Sequence, residues 1–231
     1  LILGHQASKN SEINPNELMD DVLYEVSWDS EILWRWVFSE HFDEMGFSEA
    51  ARKAMKEIKA PRFDWLHINC ASYLGPNKWY DDGDERFHPE NIIWDSRNAN
   101  LLGITDRKTG RIVWRVGPDY DTTPQLKELG WIIGVHHTHM IPRGLPGEGN
   151  ILCYDNGGSA GYGSPNPMTS GIGFEAIFNC RRDYSRVIEF NPVTLEKVWE
   201  YSAQALGRFM MEKFMEYSPY VSSAQRLPSG N

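Results

Sequence analysis

Nowhere in the 231 residues does an apolar run approach the roughly 20 that a helix needs to cross a bilayer. Positive charge is in deficit: 23 Lys and Arg against 32 Asp and Glu leave a formal net charge of -9. That balance argues against nucleic acid and anionic membrane surfaces as partners, because both select basic patches. A short basic cluster such as NCRRDYSR (Asn179 to Arg186) does not reverse it. Cysteine is scarce, and Cys70, Cys153 and Cys180 have no metal-site spacing. Three is odd, so at most one disulfide can form, and buried free thiols are the plain expectation. There is no P-loop, no G-x-G-x-x-G and no H-E-x-x-H, which removes the common phosphate cradles and the helix-borne zinc site. Histidine is also scarce, seven in all, yet three fall within four consecutive positions at His136, His137 and His139.

What is present in quantity is aromatic and β-branched sequence broken by turn residues. DVLYEVSWDSEILWRW (Asp21 to Trp36) reads as two strands joined at Asp29-Ser30. LLGITDRKTGRIVWRVG repeats the plan with its turn at Lys108 to Gly110, and YSRVIEFNPVTLEKVWEYS repeats it again with a turn at Pro192 to Leu195. The second strands carry Trp34, Trp114 and Trp199, spaced 80 and 85 residues apart. Further strand pairs precede the later hairpins: DWLHINCASYLG with NIIWDSR, and IIGVHHTHMIP with NILCYDNGG. Four antiparallel strands recurring with a tryptophan in the last predict an all-β chain organised as a β-propeller, with a large β-sandwich as the alternative. The predicted blades are roughly 1–46, 62–120 and 130–202, with another starting at 218–231 on YVSSAQRLP. Helical inserts are expected at 47–60, capped by Ser48, and at 203–217. Both termini read as internal to a longer protein.

Candidate chemistry gathers at the innermost strands. Period-2 alternation puts His137 and His139 on one face and His136 on the other. His67 and His137 read as equivalent positions in neighbouring blades. Arg97, closing NIIWDSR, offers a planar fork of donors to a sulfate, phosphate or carboxylate. A zinc or copper site from His137, His139 and His67 is a rival reading. YDDGDERFHPEN (Tyr80 to Asn91) bunches carboxylates but fits no calcium-loop spacing, and reads as a solvated acidic loop.

Taken together, DWLHIN, IIWDSR, HHTHMIP leading into GNILCYDNGG, and YSRVIEFNPVTLEKVWEYS resemble the arylsulfotransferase family, over nearly the whole chain from about Asp64 onward. The resemblance implies a six-bladed propeller, of which about three blades are here, with short inter-blade helices. It implies transfer of a sulfuryl group from a phenolic sulfate donor to a phenol acceptor through a sulfated histidine, with no cofactor or metal. The nucleophile's motif position falls on His137, with His136 where the family has glutamine. The H-x-N pair maps to His67 and Asn69, and the family's arginine to Arg97, although thirty residues separate His67 from Arg97. His139 and His136 would line the substrate, with Ser222 and Ser223 at the next strand. A further family histidine would lie upstream of Leu1. The resemblance implies a periplasmic or secreted protein, and a homo-oligomer is possible. The other readings are a metal-dependent propeller lyase or hydrolase and a non-catalytic propeller that binds sulfated or phenolic ligands.

Overall fold

The computed structural model describes residues 1–158, 160–163, 182, 184–202 and 217–231. Cys180 and nearly all of the expected second helical insert lie outside the described residues. The described residues are mostly β, with three four-stranded sheets and few helices, and these sheets do not close on one another. No helix among the described residues is long and apolar enough to cross a membrane. The first sheet holds β1 (Ile2–Ser8), β2 (Glu17–Val26), β3 (Ile32–Val37) and β4 (Arg62–Asp64). The second holds β5 (Ile68–Tyr73), β6 (Ile92–Ser96), β7 (Leu101–Thr105) and β8 (Ile112–Val116). The third holds β9 (His136–Met140), β10 (Ile151–Asp155), β11 (Arg186–Phe190) and β12 (Lys197–Tyr201). Helices α1 (Glu49–Glu57), α2 (Lys78–Asp81) and α3 (Pro124–Leu129) sit in the connections. Ser48 caps α1 by accepting the Ala51 N–H at 3.2 Å.

The second and third sheets are antiparallel throughout, in the order that their hairpins dictate. Each outer hairpin is set by local turn chemistry. The Asp106 carboxylate accepts the N–H groups of Lys108 and Thr109, and the Asn191 amide oxygen those of Val193 and Thr194. Ser27, Asp106 and Asn191 close the three turns by the same backbone bond, to the carbonyls of Glu31, Arg111 and Glu196. Counted back from those turns, Val22, Leu101 and Arg186 share one ladder position, opposite Gly4, Ser96 and Asp155. β1 therefore matches β6 and β10, not the innermost strands β5 and β9. Two expectations change here. Arg62–Asp64, read as opening the second unit, pairs parallel with β2 of the first. YVSSAQRLP, read as the first strand of another unit, joins no ladder among the described residues, although Val221 to Arg226 alternate exposed and half-buried as extended chain does.

The middle sheet is apolar on both faces. Ile92, Trp94 and Leu101 join the core shared with the first sheet, while Ile93, Leu102 and Ile104 join the core shared with the third. Gly103 is required opposite Trp94, because a Cβ there would lie 2.3 Å from the indole. Tryptophans also bind each sheet to the next hairpin. The Trp36 indole N–H donates to the Gly110 carbonyl at 2.7 Å, and that of Trp114 to the Pro192 carbonyl at 2.8 Å. At the end of β10, Asp155 is fully buried between Arg186 (2.7 Å) and Arg182 (2.6 Å). Burial pushes its carboxyl up, but the two guanidiniums outweigh burial and hold it below the usual carboxylate range. Two measurements check these contacts. Trp114→Phe should lower stability by about 1–3 kcal/mol in denaturant titration, because it leaves a buried carbonyl unpaired. Asp155→Ala should cost about 3–5 kcal/mol by stranding two largely buried cations. An unchanged midpoint in either variant would show that the contact holds nothing.

Candidate functional site

His67 lies just before β5, in the left-handed backbone region (φ 54°). Its Nδ1 is 2.5 Å from Asp64 Oδ2, so Nδ1 carries the proton and donates it to the carboxylate. That hydrogen bond, opposed by burial, raises the His67 pKa. The turn after β6 is clasped onto the same segment. Arg97 N–H donates to the His67 carbonyl (3.2 Å), Asn98 N–H to the Leu66 carbonyl (2.9 Å) and Asn98 Nδ2 to the Asp64 carbonyl (2.7 Å). The long gap between His67 and Arg97 is thereby explained. The insert leaves at Gly75 and returns at Pro89, whose carbonyl accepts the Gly75 N–H at 2.9 Å, so it loops out without moving Arg97. Within the insert, Asp84 pairs with Arg86, and Asp81 pairs with Arg143 from outside it.

The three clustered histidines separate as the alternation predicts. His136, Thr138 and Met140 are buried, whereas His137 and His139 are half-buried on the other face. His136 is 8% exposed. Its Nδ1 lies 2.8 Å from Asn156 Oδ1 and 3.0 Å from the Gly134 carbonyl. Burial lowers its pKa against those two bonds, and the positive charges of Arg97 and His67 lower it further. His137 is the extra residue of a β-bulge, with φ 53° where the β9–β10 register shifts. Its ring lies 4.6 Å from that of His139, and its buried Nδ1 has no partner among the described residues. His139 Nδ1 donates to the His137 carbonyl at 3.0 Å. Burial lowers the His139 pKa.

Backbone pairing also corrects the expected equivalence of His67 and His137. Asn98 N–H meets the Leu66 carbonyl as Gly157 N–H meets the Ile133 carbonyl, and Leu74 N–H meets the Asn91 carbonyl as Ile141 N–H meets that of Asn150. Both anchors put Gly134, with φ 63°, at the place of His67. Counted from either anchor His136 falls at the place of Asn69, while in the ladders it faces Tyr154 as Cys70 faces Asp95. Asn69 itself braces the two sheets, donating Nδ2 to the Val135 carbonyl at 3.1 Å. His67, His137 and His139 do not come together as the rival metal set among the described residues. Among the described residues no three His, Cys, Asp or Glu converge as metal ligands. Cys70 and Cys153 are free thiols. Ser222 reaches the cluster through Asn156, whose Nδ2 is 3.2 Å from its Oγ, whereas Ser223 is exposed. The cleft of about 360 Å³ lined by Arg86, Trp114 and Pro192 contains none of these residues.

Three residues escaped the reading of the sequence. Asp64 stands in the quoted DWLHIN motif, but its partnership with His67 needs the left-handed turn. Asn156 is legible only as part of a DNGG turn. His5 looked like part of an apolar terminal strand. Ladder counting would have found it, since His5, Arg97 and Asn156 each follow the equivalent residues Gly4, Ser96 and Asp155. His5 Nε2 lies 3.0 Å from Oδ1 of buried Asp21, too poorly aligned for a hydrogen bond, and Asp21 Oδ2 accepts the Ile68 N–H beside His67 at 3.3 Å.

No curated protein and no solved structure gives a significant match to this chain. The arylsulfotransferase (ASST) family model matches residues 1–231, its whole length. Matched from its first residue to its last, the chain belongs to the arylsulfotransferase family.

Proposed function

We propose that this chain moves a sulfuryl group from a phenolic sulfate to a phenol through a sulfohistidine on His136, within a β-propeller whose innermost strands include β5 and β9. The observation that carries the proposal is that two histidines at the entries of neighbouring sheets have opposed environments, His67 held by Asp64 and His136 buried against Asn156. Burial lowers the His136 pKa and so favours its neutral, nucleophilic form, while the hydrogen bond to Asp64 raises that of His67 and favours the protonated form that can act as an acid. Motif position favours His137 as nucleophile, but His137 lies on the other face of β9, over His139. We therefore place the nucleophile one residue earlier. The stacked sheets, the repeated tryptophan clasps and the family support the propeller. Family likeness also supports a periplasmic or secreted location.

The first half-reaction forms a bond from His136 Nε2 to sulfur as the bond from sulfur to the aryl oxygen breaks. The departing phenolate takes the proton from His67. In the second half, neutral His67 removes the proton of the acceptor phenol, whose oxygen attacks sulfur and frees His136. Charge on the sulfuryl oxygens is met by Arg97, as cationic donors meet a transferring phosphoryl group. Asn69, braced on Val135, keeps the two sheets in register around the reacting group.

Activity requires neutral His136 and protonated His67. It falls at low pH through a pKa below the usual imidazole value, and at high pH through one above it. The kcat/KM profile is then a bell, and Asp64→Asn should move its alkaline limb to lower pH. In the full-length protein, His67→Ala should lose about 10²–10⁴-fold with poorly leaving phenols and less with nitrophenyl sulfate. The deciding experiment adds an aryl sulfate without acceptor and reads the histidine peptide by fragmentation mass spectrometry at alkaline pH. A sulfuryl group on His136 that a phenol discharges supports the proposal. The group on His137, with His136→Ala still active, would return the nucleophile to the neighbouring residue. Phenol release without any modified histidine overturns the mechanism.

A further inference from the structure

Asn156 has no part in the mechanism above, yet it is fully buried and touches His136. We infer that Asn156 is a positioning residue that fixes the tautomer of His136 and so directs Nε2, rather than Nδ1, to the sulfur. The inference rests on the reading of His136 as nucleophile. His136 Nδ1 faces two oxygens, Asn156 Oδ1 and the Gly134 carbonyl, and neither can donate. The ring proton must therefore sit on Nδ1, leaving the lone pair of the neutral ring on Nε2.

The orientation of the Asn156 amide is itself determined. Its Nδ2 donates to the Ser218 carbonyl at 2.6 Å. Turning the amide over would set two carbonyl oxygens against each other and present an N–H to His136, reversing the tautomer. Ser218 is held in turn, since its N–H donates to Ser185 Oγ at 2.9 Å, and that hydroxyl lies 2.9 Å from the Asn156 carbonyl. The segment can lie this close only because residue 158 is glycine, where a Cβ would fall 1.8 Å from the Pro219 carbonyl oxygen. A segment some 60 residues downstream thus sets which nitrogen of His136 is free.

Nitrogen shifts of His136 in histidine-labelled, ligand-free full-length protein read the tautomer without turnover. Wild type should show the Nδ1–H form, and Asn156→Ala should show a mixture or the Nε2–H form. Asn156→Asp keeps an acceptor but adds a charge beside Nδ1, which favours the imidazolium. Its kcat/KM profile should lose activity at a pH at least one unit higher than wild type on the acid side. Asn156→Ala should lower kcat by on the order of 10²-fold or more with little change in KM, as loss of the correct tautomer does in hydrolytic triads. Should Asn156→Ala fail to fold, Asn156→Asp and the wild-type spectrum decide alone. An Nε2–H tautomer in wild type, or an acid limb unmoved in Asn156→Asp while His136 is sulfated, overturns the assignment. Absence of sulfohistidine refutes the mechanism instead, and the spectrum still tests Asn156.

Discussion

The arrangement depends on buried side chains of one sheet that accept backbone N–H groups at the start of the next. Asp21 accepts from Ile68, Asn100 from Gly134 and Asp95 from Thr138. Each acceptor is fully buried, and each N–H belongs to His67's neighbour, to His67's counterpart or to the residue between His137 and His139. Unpaired, such a donor and acceptor would each carry a desolvation penalty of about 1–3 kcal/mol. The same bonds that join the sheets therefore fix where the histidines emerge. Burial pushes Asp21 up to about 8 and Asp95 up to about 7, so these carboxyls hold the sheets together near their own titration range.

Left-handed backbone is the local device that this joint imposes. His67 and Gly134 share it at matching places, and His137 adopts it again in the bulge. Glycine takes that conformation freely, whereas a β-carbon there costs about 1–2 kcal/mol. At His67 the turn delivers Nδ1 to Asp64. At His137 it inserts one residue, leaving His136 on one face of the strand and the His137–His139 pair on the other. Three histidines within four positions thus enter different surroundings, His136 against Asn156 and the Gly134 carbonyl, His137 and His139 against each other.

The DNGG turn divides its work residue by residue. Asp155 joins two arginines, Asn156 orients His136, and Gly158 admits the Pro219 carbonyl. Structural and functional residues alternate in one tetrapeptide because a strand end both terminates a ladder and faces the neighbouring sheet. A substitution at Gly158 would reach the imidazole through backbone displacement alone.

The chain's own letters determined what is local. The outer hairpins follow from Asp106 and Asn191 bonding their own turns, the alternation of β9 from its period of two, and the cap of α1 from Ser48. The arylsulfotransferase resemblance was legible because each of its motifs is a continuous run of sequence. Tertiary structure decided the rest. Bulges and the looped-out insert break simple counting, so which residue of one sheet matches which of the next is set by the backbone pairing of the strands within each sheet. The opposed pKa shifts of His67 and His136 come from burial and from Asp64, and the hold on Asn156 from residues some 60 positions away. Burial and long-range hydrogen bonds exist only once the chain has packed, and no spacing along the sequence encodes them.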